Sequence, residues 1–325
     1  MEATLFDFPK LEITNKIRLI ELFGGIGSQA MALRDIGADF EHYRLVEFDK
    51  YAVASYNAIH GTSFETADIR NVHGADLGIT ERDKFTYIMT YSFPCTDLSV
   101  AGKMQGMSKA EWEQGNSTRS GLLWEVERIL KELKADELPQ VLLMENVPQV
   151  HAEQNRADFE AWLAFLRSRG YFDFYQDLNA KDYGIPQNRD RCFCVSILSP
   201  EFIDYEFPEP VKLEKVMRDY LEDQVDEKYY IKSEKADKLI AELIERGELP
   251  TEQNRTEQNR TEQNRTACRM KTNKSTIHLL YFATSNPEYK PKHEWTDIAS
   301  TLLARDYKGP ANFVKMNGVI ERSDN

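Results

Sequence analysis

The sequence predicts an α/β fold in which a mostly parallel sheet carries helices on both faces. Three observations lead to this prediction. Apolar runs of strand length alternate with amphipathic runs of helical length over residues 1–200. A glycine-rich turn, GGIGS, joins the first apolar run to the first helical run. Polar residues follow several predicted strands directly, at the edge where open α/β sheets bind their ligands.

The alternation can be followed element by element. KIRLIELF predicts a buried strand, SQAMALRDIG a helix, YRLVEFD a second strand and KYAVASYNAIHG a helix that stops at Gly61. A third strand is expected to end near Asp68, and TYIMTYSF forms the fourth. SGLLWEVERILKEL is an amphipathic helix and QVLLMENV the fifth strand. A helix, RADFEAWLAFLRSRG, then precedes two last strands, FDFYQDLN and CFCVSIL.

The rhythm stops near residue 200, which divides the chain into a larger domain, residues 1–200, and a smaller irregular domain, residues 201–325. SEKADKLIAELIERG predicts a helix capped by Ser233. Three copies of TEQNR at residues 251–265 have no apolar face to bury, so they form a surface linker or an exposed helix. The segment after them mixes short apolar runs with Pro and Gly, which indicates irregular β structure.

Charge and cysteine usage bound the function. The net charge of −13 argues against a uniformly nucleic-acid-binding surface, yet residues 251–325 carry twelve Lys/Arg and nine Asp/Glu. A small module that faces nucleic acid is therefore compatible with the composition. No run approaches the ~18 apolar residues of a membrane span. The four cysteines form no CxxC pair and no zinc spacing with the six histidines, so we expect a cytoplasmic protein without a metal.

The glycine turn is a candidate nucleoside site. Gly25, Gly27 and Ala30 fit the pattern G-x-G-x-x-G/A between a strand and a helix. Glu47 ends the second strand about 20 residues later, where a carboxylate binds ribose hydroxyls. NAD, FAD and S-adenosylmethionine all remain open, and a tight structural turn is the alternative. Asp68 would accept a hydrogen bond from an adenine amino group, or is an ordinary loop residue.

A second candidate site lies where the fourth and fifth strands end. Considered alone, Cys95 is best interpreted as a small buried hydrophobic residue, because free cysteines are among the most buried residue types. Neighbouring strand ends would bring Glu145 close to it, and a thiol beside a carboxyl group suggests covalent catalysis with proton transfer. A buried Glu145 needs a partner. In QNRDR, alternation puts Gln187, Arg189 and Arg191 on one side, although a solvated edge is the alternative.

Seven blocks occur in order between residues 17 and 197: ELFGGIGS, VEFDKYA, ADIRN, SFPCTDLS, TRSGLLWEVERI, ENVP and QNRDRCF. This ordered set resembles the DNA (cytosine-5)-methyltransferase family of bacterial or phage restriction-modification type. EKYYIKSEKADKLI and TLLARDYKGPANFV resemble the start of its target-recognition region and its closing block. The resemblance implies a Rossmann-like S-adenosylmethionine-dependent methyltransferase fold, with a catalytic domain at 1–200 and a target-recognition domain at 201–325.

The resemblance also implies a role for individual residues. Those expected to bind S-adenosylmethionine are Phe23, Gly25, Gly27, Glu47, Asp68 and Pro94. Cys95 is the expected nucleophile, Glu145 the group that protonates cytosine N3, and Arg189 and Arg191 the arginines that hold Glu145 and the base. The target cytosine must flip out of the duplex to be reached. Residues 103–120 resemble the family's mobile loop that closes over DNA.

The implied partners are double-stranded DNA and a cognate restriction endonuclease, with no membrane and no metal; the enzyme is expected in the cytoplasm, at the nucleoid when bound to DNA. Glu21 stands where the family more often has Asp, and Thr96 where it more often has Gln. The family's last block, G-N-x-V on a helix that returns to the catalytic domain, is not found after KMNGVIERSDN. We therefore expect a truncated frame, a second chain that supplies this helix, or an impaired enzyme.

The sequence leaves alternative functions open. A silent remnant would bind DNA or cofactor without turnover, and an RNA cytosine-5 methyltransferase would share the same blocks. A nicotinamide oxidoreductase is disfavoured because it assigns no role to the Pro-Cys, ENV and QNRDR blocks together.

Overall fold

A computed structural model describes residues 9–98, 106–116 and 118–222, and beyond them residues 238, 241–245, 277–281, 299–300 and 312–316. The chain forms two compact units. The first comprises Met1–Asn179 and Asp190–Glu209, and the second comprises Ala180–Arg189 and Pro210–Asn325. The predicted domain boundary at residue 200 stays a prediction. The TEQNR repeats and the predicted Ser233 cap lie outside the described residues.

A six-stranded sheet organises the first unit. Its strands in chain order are β1 (Lys16–Leu22), β2 (Phe40–Val46), β3 (Phe85–Tyr91), β4 (Val141–Asn146), β5 (Tyr171–Asn179) and β7 (Asp190–Leu198). The short strand β6 (Gln187–Asn188) lies between β5 and β7 in the chain and belongs to the second unit. Across the sheet the order is β2-β1-β3-β4-β7-β5. β7 runs antiparallel to both of its neighbours, whereas the pairs β2-β1, β1-β3 and β3-β4 are parallel. The predicted mostly parallel sheet is confirmed.

The α-helices of the described residues are α1 (Ser28–Asp35), α2 (Lys50–His60), α3 (Lys109–Glu113), α4 (Leu123–Glu132) and α5 (Arg156–Ser168). Asp49 caps the start of α2, and its carboxylate accepts hydrogen bonds from the first-turn N–H groups of Tyr51 and Ala52. Gly61, the residue predicted to stop the helix, follows its last residue and adopts φ +66°. Among the helices of the described residues, none has the length and apolar character needed to cross a membrane.

Helices cover both faces of the sheet, as predicted. Successive strand residues point to opposite faces, and Val46 and Leu45 show the division. Val46 belongs to the large buried cluster that contains Trp124 of α4 and Trp162 of α5. Leu45 packs instead with Tyr56 of α2. The two faces therefore bury different helices, and the strand ends between them remain available for a site.

The prediction of a third strand before Asp68 is wrong. Between α2 and β3, a stretch described throughout, the regular structure consists of two 3-10 turns, Ile69–Asn71 and Gly74–Leu77. The segment TSFETAD has one large apolar side chain, Phe64, and that residue packs against Tyr56. An alternating apolar row is absent, so nothing drives a strand into the sheet.

The described parts of the second unit contain short strands. β6 pairs in parallel with β9 (Ala299–Ser300), and β8 (Ile277–Tyr281) pairs antiparallel with β10 (Asn312–Met316). Residues 241–245 are helical, within the predicted SEKADKLIAELIERG helix. The predicted β structure near the C-terminal end is thus present in the residues that the structure describes.

Candidate active site

Cys95 and Glu145 follow neighbouring strands at the same edge of the sheet. β3 and β4 are parallel neighbours, and Tyr91 lies opposite Met144 in their register. Glu145 comes directly after Met144, and Cys95 lies in the loop just beyond Tyr91. Cys95 is half-buried and packs against the large buried cluster. The predicted edge location therefore holds for both residues.

Glu145 has the arginine partner that the sequence predicts. Arg191 Nε lies 2.9 Å from Glu145 Oε1, and the side chains are 17% and 23% exposed respectively. In the β4–β7 register Glu145 lies opposite Phe193, so Arg191 is its diagonal neighbour on the same face. Arg191 Nη1 also donates a 2.7 Å hydrogen bond to the Asp190 carbonyl. The guanidinium is thereby held by two contacts and orients the carboxylate with a charge-assisted bond.

Arg189 lies between β6 and β7, in the second unit. Its carbonyl accepts a 3.0 Å hydrogen bond from the Ala180 N–H. Gln187, Arg189 and Arg191 are half-buried while the residues between them are exposed, which is the predicted alternation. The role of Arg189 towards Glu145 or the base stays a prediction.

The loop that carries Cys95 is attached to β4 and to α1. Asn146 Nδ2 donates a 2.9 Å hydrogen bond to the Phe93 carbonyl, and Asn146 Oδ1 accepts one of 2.9 Å from the Val147 N–H. Gln29 Nε2 on α1 donates a 3.0 Å hydrogen bond to Ser92 Oγ. These bonds position the backbone on the N-terminal side of Cys95.

A second set of bonds attaches the loop to the chain just before α4. Ser120 Oγ donates a 2.7 Å hydrogen bond to the Pro94 carbonyl and accepts one of 3.3 Å from the Asp97 N–H. Asp97 Oδ2 accepts from the N–H groups of Arg119, at 2.8 Å, and Ser120, at 3.3 Å. Pro94, predicted to contact the cofactor, thus uses its carbonyl to anchor the loop.

The sequence patterns assign no role to Asn146, Asp97 or Ser120. All three occur in the seven blocks; Asn146 directly follows Glu145, and Asp97 lies two residues after Cys95. The available signal was a polar side chain beside a strand end that is otherwise apolar, because such a group, when buried, needs hydrogen-bond partners.

Part of the predicted mobile loop, residues 103–120, lies outside the described residues. Its later part forms α3, which packs on α4 through two polar contacts. Trp112 Nε1 donates a 3.0 Å hydrogen bond to Glu125, and Lys109 Nζ lies 2.8 Å from Glu127 Oε1. Closure of this loop over DNA stays a prediction.

Gly25 and Gly27, two of the three glycines in the turn GGIGS, have different roles. Gly25 and Gly27 both have positive φ, +56° and +83°, as does Phe23 at +57°. A Cβ added at Gly25 would meet no atom within 4 Å, so this residue borders open space. A Cβ at Gly27 would collide with His60 and Tyr56 of α2. Gly25 therefore allows a ligand to approach, whereas Gly27 allows α2 to pack.

Glu47 is turned back towards the glycine turn, as a ribose-binding carboxylate requires. Its Oε2 accepts a 3.0 Å hydrogen bond from the Gly25 N–H, and its Oε1 accepts one of 2.8 Å from the Asp49 N–H. The next residue, Phe48, is 72% exposed, so its ring is available beside the carboxylate. Open space, a carboxylate and an exposed aromatic ring fit a nucleoside-containing cofactor.

Asp68 is engaged by a neighbouring arginine. Arg70 Nε lies 2.9 Å and 3.1 Å from the two carboxylate oxygens, and the Arg70 N–H donates at 3.0 Å. The hydrogen bond from the Arg70 side chain lowers the pKa of Asp68. Asp68 remains ionised and is able to accept a hydrogen bond, but a base amino group would have to share it with Arg70.

Glu21 is a buried acid below the glycine turn. The Tyr56 hydroxyl of α2 donates a hydrogen bond to it, and the Ala30 N–H of α1 lies 3.4 Å from its Oε1. Burial raises the pKa of Glu21 to about 7. Tyr56 also contacts His42 Nδ1 at 2.7 Å. The Glu21 side chain thus connects β1 to α1 through Ala30 and to α2 through Tyr56.

The sequence model of C-5 cytosine-specific DNA methylases matches residues 17–305. This chain belongs to that family. The type II methyltransferase M2.ScrFI of Lactococcus lactis subsp. cremoris is 33% identical over 264 residues, covering 67% of this chain and 71% of the relative. The type II methyltransferase M.NlaX of Neisseria lactamica is 35% identical over 214 residues, covering 66% and 62%.

A solved structure shares the fold of this C-5 cytosine methylase family member. The Entamoeba histolytica methyltransferase EhMeth superposes with a TM-score of 0.51 at 19% identity, covering 68% of this chain and 64% of that one. The fold is that of S-adenosylmethionine-dependent methyltransferases, as the resemblance implied. The chain spans 62% to 71% of the length of the two curated relatives.

Proposed function

We propose that this chain transfers a methyl group from S-adenosylmethionine to carbon 5 of a cytosine in duplex DNA. The observation that carries the proposal is the 2.9 Å ion pair between Glu145 and Arg191, at the sheet edge where the Cys95 loop is anchored. A carboxyl group that an arginine holds at the same sheet edge as a half-buried thiol suits addition to a ring together with proton transfer. Type II methyltransferases among its relatives favour a restriction-modification setting.

The residue roles follow from the reactivity of cytosine. Carbon 5 is a poor nucleophile until the aromaticity of the ring is broken. The Cys95 thiolate adds to carbon 6, and Glu145, in its protonated form and oriented by Arg191, gives its proton to N3 and so offsets the negative charge that develops during addition. After methyl transfer a base removes the proton on carbon 5, the Cys95 thiolate is eliminated, and N3 returns its proton to Glu145.

The cofactor would lie at the glycine turn. Gly25 leaves room for it, Glu47 accepts hydrogen bonds from ribose hydroxyls, and Phe48 stacks on the adenine ring. Asp68 would accept the adenine amino group beside Arg70. When bound, S-adenosylmethionine supplies the electrophilic methyl group that carbon 5 of the cytosine takes up.

Access to the base requires that it leaves the duplex. Flipping a paired cytosine costs a few kcal/mol, and contacts between the protein and the phosphates would offset that cost. Binding should therefore weaken as salt rises. We place the phosphate contacts in residues 251–325, because this segment carries more Lys and Arg than Asp and Glu.

Methyl transfer tests the proposal directly. The purified chain is incubated with labelled S-adenosylmethionine and either a mixed-sequence DNA duplex or an RNA of the same sequence, and 5-methylcytosine is quantified by mass spectrometry. We expect product in DNA. Product in RNA alone would replace the DNA proposal by the RNA alternative, and product in neither would contradict both and favour the silent remnant or the need for a second chain.

A duplex with 5-fluorocytosine tests the nucleophile. Fluorine cannot leave as a proton does, so the covalent adduct should accumulate as a band that resists denaturation. We expect Cys95→Ser to abolish it and Cys194→Ala, which alters a fully buried cysteine of β7, to retain it. An adduct that survives Cys95→Ser would exclude Cys95 as the nucleophile.

A further inference from the structure

Three side chains of the kinds that bind transition metals converge next to Glu145. His151 Nε2 lies 3.0 Å and 3.1 Å from the two carboxylate oxygens of Asp177. The ligand atoms of His151, Asp177 and Cys192 all lie within 4.8 Å of one another. The spacing of these residues in the sequence does not reveal the group, because they come from three separate segments.

The fold holds this group in place. Asp177 on β5 and Cys192 on β7 are direct partners in the antiparallel register, so their side chains share one face. His151 ends the short turn that follows β4, and its ring contacts that of Tyr175 at a centroid distance of 5.6 Å. On its other side Cys192 pairs with Asn146, the residue after Glu145. Two of the three residues therefore lie on the paired strands β5 and β7, and the third lies on the turn that follows the proposed catalytic carboxyl group.

We propose that His151, Asp177 and Cys192 form a binding site for a thiophilic divalent cation, with Zn²⁺ as the best-suited ion. Imidazole nitrogen, carboxylate oxygen and thiolate sulfur are its usual ligands in proteins. Tetrahedral Zn²⁺ needs ligand atoms about 3.3–3.8 Å apart, so side-chain movements of roughly 1 Å would suffice. Three protein ligands leave a fourth position for water.

The surroundings permit such a cation. Asp177 is exposed and His151 is partly exposed, so an ion can reach the group from solvent, whereas Cys192 is fully buried. Burial, and after it the charge of Asp177, raise the pKa of the Cys192 thiol, so binding must release a proton. A bound dication favours the thiolate strongly enough to reverse this preference. The nearby positive charge of Arg191 is paired with Glu145.

A metal titration tests the site without reference to methyl transfer. The background is the full chain with Cys95→Ser and Cys268→Ser, which leaves the two buried cysteines of β7 among the four in the sequence. Co²⁺ is added as a spectroscopic probe, and Zn²⁺ is then titrated by calorimetry. We expect one ion per chain, a thiolate-to-cobalt charge-transfer band in the near ultraviolet, and displacement of Co²⁺ by Zn²⁺.

Matched variants assign the ligands. Cys192→Ala should abolish the charge-transfer band, whereas Cys194→Ala, an equally buried cysteine on the same strand face, should retain it. His151→Gln keeps a polar contact to Asp177 at a partly exposed position and should weaken Zn²⁺ binding at least about ten-fold. Absence of stoichiometric binding, or affinity unchanged by His151→Gln, would overturn the proposal and leave the group as a hydrogen-bonded chain.

Discussion

The side-chain amide of Asn146 donates a 2.9 Å hydrogen bond to the carbonyl of Phe93 in the buried interior. Asn146 directly follows Glu145 on β4, and Phe93 precedes Cys95 by two positions in its loop. The same amide accepts a hydrogen bond from the Val147 N–H. One side chain thus connects the segment of the proposed proton donor to the segment of the proposed nucleophile.

Asn146→Ala should separate the two candidate catalytic groups. It removes the partners of two buried backbone groups, which is expected to cost about 1–3 kcal/mol of unfolding free energy for each group left unsatisfied. Trapping of 5-fluorocytosine DNA should slow, while calorimetric affinity for S-adenosylmethionine changes little.

The control for this variant is Asn155→Ala. Asn155 is equally buried and donates a 2.7 Å hydrogen bond to the Gln149 carbonyl, before α5. It should lower stability about half as much, because one backbone group is left unsatisfied in place of two, and it should not slow trapping. Equal slowing by both variants would show that Asn146 acts through general stability alone.

Arg191→Lys should lower the rate of methyl transfer at least about ten-fold, because an ammonium group cannot reproduce the planar guanidinium contact to Glu145. Single-turnover transfer to duplex DNA measures the effect. Arg34→Lys is the control, since Arg34 pairs with Asp35 on the surface. An unchanged rate in Arg191→Lys would mean that Glu145 does not depend on this contact.

Gly25→Ala and Gly27→Ala should separate cofactor binding from packing. Each places a non-glycine residue at positive φ, at a cost of about 1–2 kcal/mol. Gly27→Ala adds a collision with α2 and should lower the unfolding free energy further, by about 1–3 kcal/mol. Gly25→Ala should instead weaken S-adenosylmethionine binding, measured by calorimetry. The reverse ranking of the two variants in stability would contradict the assignment.

Glu21→Gln should flatten the pH dependence of stability. The pKa of this carboxyl group rises from 4.5 to about 7 on folding, so between these values the folded protein keeps a proton that the unfolded chain has lost. Unfolding free energy from this group therefore falls as pH rises through that window, by up to about 3 kcal/mol.

Urea unfolding on either side of this window measures the difference between Glu21→Gln and the parent. Tyr56→Phe serves as a second variant: it removes the hydroxyl whose hydrogen bond lowers the pKa of Glu21, so it should extend the fall to higher pH. Parallel pH profiles for the parent and Glu21→Gln would contradict the assignment.

Much of the fold follows from local pattern. The apolar runs KIRLIELF, TYIMTYSF and QVLLMENV became β1, β3 and β4, and Gly61 ended α2. The expected strand before Asp68 was wrong because strand number was inferred from the rhythm of the chain, whereas TSFETAD lacks the apolar row that a sheet position requires. The antiparallel direction of β7 could not be predicted in this way either, because it depends on the connection from β5, whereas an apolar run carries no information on strand direction.

The sequence by itself determined which residue types stand at the strand ends: a thiol at Cys95, a carboxyl at Glu145 and arginines nearby. Only the tertiary structure decided the geometry of the predicted Arg191–Glu145 pair, that Asn146 holds the Cys95 loop, and that His151 meets Asp177 and Cys192. The reason is physical. Hydrophobic periodicity is a local property of the chain, whereas a side-chain contact across strands depends on strand order and register, which are set by the packing of the whole sheet.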